Sequence, residues 1–237
     1  MMTMAGNTAS NTVMTTDLQQ RLRLQSWLSP AFPIGAFSYS HGLEYAVEAG
    51  LVHDKDSLIA WLEADLRHGS GRNEGIFLAT ALKSDGDAFL EIAELAAASF
   101  STQELALEGL SQGEAFLHML QKAWPHGDLS ALAHELTVRP ALPIAVAMAS
   151  KAHGIDPVAA LHLHLQAWLA NLINAAVRLV PLGQTDGQLA QAALEDAVLA
   201  VAAEAATATI DDLGSAAIMV DWASMQHETQ YTRLFRS

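Results

Sequence analysis

Ten histidines among 26 acidic residues, with no cysteine, set the range of chemistry open to this 237-residue chain. His162-Leu163-His164 is the closest metal-ligand pair. On a strand its two rings would share a face. On a helix, positions i and i+2 point about 200° apart and cannot chelate one ion. The surrounding pattern is helical, so no metal site is expected there. The other eight histidines (His41, His53, His68, His118, His126, His134, His153 and His227) make no His-Glu-x-x-His or His-x3-His pattern. The lack of cysteine excludes thiolate metal sites, cysteine nucleophiles and disulfides. Gly69-Ser70-Gly71 lacks the Gly-Lys-Ser/Thr of a phosphate loop, and no Gly-x-Ser-x-Gly elbow is present. The carboxylates are scattered as on solvated helix faces. The sequence therefore nominates no catalytic set and no cofactor, and the expectation is a protein that is not an enzyme.

Two segments resist a purely structural reading. Ser29–Glu44 packs Pro30, Pro33, Gly35 and Gly42 with Phe32, Phe37 and Tyr39 into sixteen residues. The prolines forbid a regular helix, and the serines can cap the next one. A rigid turn accounts for the prolines and Gly35. It accounts less well for the aromatics, which are favoured at protein interfaces. The second segment is the C-terminal stretch, where Tyr231, Leu234 and Phe235 alternate with Arg233 and Arg236. These residue types carry binding energy. Two readings stay open for it: a tail docked on its own domain, or a tail ordered by a partner over residues 222–237.

Stepping from these residues to the elements that hold them, the composition is 51% hydrophobic and dominated by Ala and Leu, both strong helix formers. Apolar positions recur at helical spacing almost throughout, and no period-2 stretch exceeds about four residues. Asp156-Pro157 reads as an N-cap followed by proline at the first helical position. The helix it opens runs to about Val180 and is apolar nearly all round, which suits a central helix. The expected fold is all-α, a single globular domain of roughly ten helices around that central apolar helix. It occupies residues 17–237, and residues 1–16 are read as a disordered extension without the features of a signal peptide. A net charge of −14 with no Lys/Arg cluster argues against nucleic acid and anionic membranes. No stretch offers the roughly 20 clean apolar residues of a membrane span.

Three segments together resemble the urease accessory protein UreF family. Ser29–Glu44 is similar to its N-terminal signature, a Pro-x-x-Pro-x-Gly turn leading through an aromatic-Ser-x-Ser stretch to Gly-Leu-Glu. Arg178–Gln188 is similar to a second signature and Ala223–Ser237 to the C-terminal one. The resemblance implies an all-α, cytoplasmic, dimerising protein that is not an enzyme. It implies binding to UreD (also called UreH), to the GTPase UreG and to the urease apoprotein during nickel insertion. It further implies a UreG-facing surface carried by Phe37, Tyr39, Arg178, Arg233 and Arg236, and a UreD-facing one carried by Tyr231, Leu234 and Phe235. A helical carrier that binds nickel directly through histidines and carboxylates is the alternative reading.

Overall fold

The computed structural model describes the backbone of residues 6–237 and the side chains of residues 17–237. The extension expected over residues 1–16 lies outside the residues whose side chains are described. Among the described residues the chain forms twelve α-helices and two short 3-10 turns, without a strand. The helices are α1 (Gly6–Trp27), α2 (Leu43–Glu48), α3 (Lys55–His68), α4 (Ser70–Lys83), α5 (Gly86–Ala98) and α6 (Gln103–Ala123). They continue as α7 (Gly127–Glu135), α8 (Leu142–Ala152), α9 (Pro157–Leu179), α10 (Gln184–Ala193), α11 (Glu195–Thr207) and α12 (Ile218–His227). The all-α single domain expected from composition and periodicity is thus the fold observed.

Local chemistry sets the boundaries. Asp54 caps α3 by accepting from the Ser57 amide at 2.8 Å while Ser57 Oγ accepts from the Asp54 amide, a reciprocal capping box. Asp156 caps α9 by accepting from the Ala159 amide at 2.9 Å, with Pro157 at the first helical position. Pro125 follows the end of α6. The stretch from Leu189 to Ala206 reads as one helix in sequence but divides at Leu194, which ends α10 and precedes α11. Leu194 is fully buried, and the bend lets both short helices lay their Ala-rich faces on the core.

α9 packs against α2, α3, α4, α8, α10 and α11. It is not apolar all round in its setting: Leu161, Leu165, Trp168, Leu169, Leu172 and Ile173 face inward, whereas Val158 and Leu163 are exposed. The most enclosed helix is α8, where every residue from Pro143 to Ser150 is buried between α4, α6, α7 and α9. Its run of Ala145, Ala147 and Ala149 keeps the backbone slim on several sides, so neighbours approach closely.

Candidate functional site

The two segments singled out in the sequence meet in space. Residues 38–44, leading into α2, and residues 233–237, following α12, lie side by side. The Arg236 amide donates to the Ser38 carbonyl at 2.8 Å, and the Ser40 amide donates to the Ser237 carbonyl at 2.9 Å. Ser40 Oγ donates to the same carbonyl oxygen, and Ser237 Oγ donates to Glu108 Oε2 at 2.7 Å.

Buried carboxylates clasp this pair of strands of chain. Glu44 accepts from the Leu234 amide at 2.6 Å and the Phe235 amide at 2.8 Å. His227 has no exposed surface and bridges Glu44 Oε2 at 3.0 Å to Glu104 Oε2 at 2.6 Å. Arg233 Nη1 donates to the second oxygen of Glu104 at 2.9 Å. Two carboxylates face one imidazole and one guanidinium, so the buried charges are matched and most lone pairs are used. Close backbone approach completes the joint. Gly42 adopts φ +78°, and a Cβ there would lie 2.8 Å from the Ser224 amide nitrogen of α12. Only glycine satisfies both conditions.

Next to Gly42, His41 is buried at φ 57°, a left-handed conformation uncommon outside glycine. Its ring stands edge-on to Trp168, with Asp65 at 3.5 Å and Glu108 at 3.4 Å on its two nitrogens. Burial by itself would lower its pKa. The carboxylates of Glu108, then Asp65 and Glu74, outweigh that and raise it from 6.5 to about 9. Asp65 is raised by burial, partly opposed by His41. A histidine whose folded pKa exceeds its unfolded one contributes its full stabilisation below the unfolded value and loses it as pH rises through the folded value. The melting temperature of the protein is therefore expected to fall between pH 7 and pH 9.5, by the equivalent of about 3 kcal/mol at most. Calorimetry across that range tests this. A flat profile, or the same slope in His41→Gln, would show that another group is responsible.

The expected site residues divide by environment. Phe37 is 76% exposed, Tyr231 is fully exposed and Leu234 is 60% exposed. Tyr39 and Phe235 are buried within the chain itself. Each lies under an arginine: the Arg236 guanidinium is 5.5 Å from the Tyr39 ring centre, and that of Arg178 is 4.4 Å from the Phe235 ring centre. Arg178 Nη1 also donates to the Phe37 carbonyl, which ties the end of α9 to both segments. Thus Phe37, Tyr39, Arg178, Arg233, Arg236, Leu234 and Phe235 share one region, whereas Tyr231 makes no such contact. Glu44, Glu104, Glu108 and His227, which hold the region together, were not nominated by sequence reasoning. Their spacing of four to more than a hundred residues leaves no local signature.

His162 and His164 do not converge. His164 points inward to Glu74 at 2.7 Å, and the His162 ring lies 2.7 Å from the Val158 carbonyl of its own helix. No cluster of three His, Asp or Glu side chains is arranged around a common metal position among the described residues.

Fold and site together define an all-helical, single-domain protein in which a Pro/Gly-rich loop and the C-terminal segment are fastened into one face by buried charges. The UreF family model matches residues 52–195. The urease accessory protein UreF of Rhodopseudomonas palustris strain BisB5 is 51% identical over 219 residues, covering 91% of this chain and 90% of that protein. The UreF proteins of Bradyrhizobium diazoefficiens and Azorhizobium caulinodans are each 46% identical, over 91% of this chain and 90% and 95% of theirs. The chain belongs to the UreF family.

Proposed function

We propose that this protein is a non-enzymatic urease accessory factor of the cytoplasm that bridges UreD and the GTPase UreG on the urease apoprotein while nickel is inserted, acting as a homodimer. The observation that carries the reading is the near-complete match to proteins named urease accessory protein UreF, half of whose residues are identical. The clasped loop and tail supply the surface. Phe37 is proposed to contact UreG together with the exposed guanidinium groups of Arg178, Arg233 and Arg236. Tyr231 and Leu234 are proposed to contact UreD. Tyr39 and Phe235 are buried, and they serve these contacts by shaping the loop and tail beneath the arginines.

Aromatic and arginine side chains on an exposed rim fit a docking surface, since a few such residues carry most of an interface's energy. Size-exclusion co-elution with the cognate UreD and UreG tests the bridging role; failure of the three to elute together would remove it. Phe37 is the cleaner single-residue probe, because Arg233 also pairs with a buried carboxylate. Phe37→Ala is expected to leave the melting temperature within about 1 °C of the parent, because exposed substitutions shift stability little. It should weaken UreG capture at least tenfold, about 1.4 kcal/mol. Unchanged capture would take Phe37 out of the interface.

A further inference from the structure

Beneath the clasped face lies a recessed cavity of about 420 Å³, in the range of small-molecule sites and far larger than a water position. Its inner wall is apolar and rigid: Trp168, Phe77 and Leu105 are buried, and Phe100 leans in over Gly109. A Cβ at Gly109 would lie 2.4 Å from the Phe100 ring, so this glycine is what allows the aromatic wall to stand where it does. The mouth is polar and exposed, formed by Ser99, Ser101, Gly214 and Ser215.

The polar groups inside follow a pattern. His41 is 93% buried by its 7% exposure and lines the cavity, and neither ring nitrogen has a hydrogen-bond partner in the protein. Its neighbours at 3.4 and 3.5 Å, Glu108 and Asp65, are ion-paired with it but not aligned for hydrogen bonds. Glu108 and Glu74 line the same cavity. The wall therefore presents an N–H donor between carboxylate acceptors. An alkylammonium or guanidinium ligand satisfies the carboxylates but places its charge against the imidazolium. A carboxylate ligand satisfies His41 and is repelled by Glu74 and Glu108. The complement of acceptor–donor–acceptor is donor–acceptor–donor in a neutral group: N–H, carbonyl oxygen, N–H.

We propose that this cavity is a binding site for a small neutral ureido compound, its carbonyl oxygen accepting from His41, its N–H groups donating to Glu74 and Glu108, and its apolar substituent lying against Phe77, Phe100 and Trp168. The site is separate from the proposed docking residues. Because Glu108 also accepts from Ser237 Oγ, its occupancy bears on how the C-terminal segment is held.

The test uses the full chain and three probes of one shape: N-propylurea, N-propylguanidinium and butyrate. Each is titrated while the Trp168 indole N–H and the Gly109 amide are followed by heteronuclear NMR. Propylurea is expected to saturate both signals at millimolar concentration, the range open to so small a fragment. The other two should bind at least tenfold more weakly. Glu74→Gln and His41→Gln should each weaken propylurea at least tenfold, and signals of the wild-type chain alone decide the matter if either variant fails to fold. Equal or tighter binding of propylguanidinium would make the cavity a cation site and overturn the proposal. Tighter binding of butyrate, or absence of saturation by propylurea, would overturn it as well. Co-elution with UreD and UreG is indifferent to these outcomes, so the proposal and the accessory role fail separately.

Discussion

Replacing Glu44 by alanine is expected to lower the melting temperature by about 10 °C, the equivalent of about 4 kcal/mol for a domain of this size. Glu44 is the one acceptor for the Leu234 and Phe235 amides and also faces His227 Nε2. Its removal leaves two buried amides and a buried imidazole without a partner. Each orphaned group costs about 1–3 kcal/mol, and breaking a buried charge pair costs about 3–5 kcal/mol. These costs do not add in full, since the C-terminal segment can lift off and find water instead. The sum is therefore capped by the free energy that docks the segment. Lifting has its own signature: limited trypsin digestion should cut after Arg233 and Arg236 in the variant at concentrations that leave the parent intact. Glu44→Gln keeps one acceptor oxygen and should fall between the two. An alanine variant that melts like the parent and keeps its C-terminal segment protected would mean that Glu44 does not hold this region.

The second large effect is predicted for Gly113→Ala in α6. A helix interior ordinarily gains about 1 kcal/mol when glycine becomes alanine. Here the added Cβ would lie 2.1 Å from the Pro140 carbonyl oxygen, 2.7 Å from the Ala141 carbonyl carbon and 2.8 Å from the Leu142 nitrogen. All three are backbone atoms at the start of α8, the most enclosed helix, so no side chain can swing aside. Overpacking of a tight core costs about 1–3 kcal/mol and sometimes more, and the rigidity of this contact places the variant at the upper end. A drop in melting temperature of about 6–12 °C is expected. Gly127→Ala is the control: a Cβ there meets nothing within 4 Å, and the variant should melt at or slightly above the parent. If Gly113→Ala is as benign as Gly127→Ala, the approach of α6 to the 140–142 segment is looser than these distances say.

Much of this architecture was legible beforehand because it rests on local rules. Asp156-Pro157 had to open a helix, Pro125 had to follow one, and apolar residues at three- and four-residue spacing had to face a core. The 178-to-188 and 223-to-237 segments were recognisable as signatures. The site was half legible. Aromatic and arginine residues stood out by type, but which of them are surface and which are interior did not. Tyr39 and Phe37, two residues apart, have 4% and 76% exposure. The 3-10 turn at Ala36–Ser38 turns one ring in and the other out, and a periodicity argument has no purchase on so short a turn.

The sequence by itself determined an all-helical domain, its helix limits and its family, because capping, proline geometry and hydrophobic spacing act over a few residues. Only the tertiary structure decided that the C-terminal segment lies on the chain's own loop, that His227 sits between Glu44 and Glu104, and that His41 faces a cavity. Those carboxylates come from α2 and α6, 60 positions apart, and a charge buried by such a meeting depends on which helices pack together, not on its neighbours in sequence.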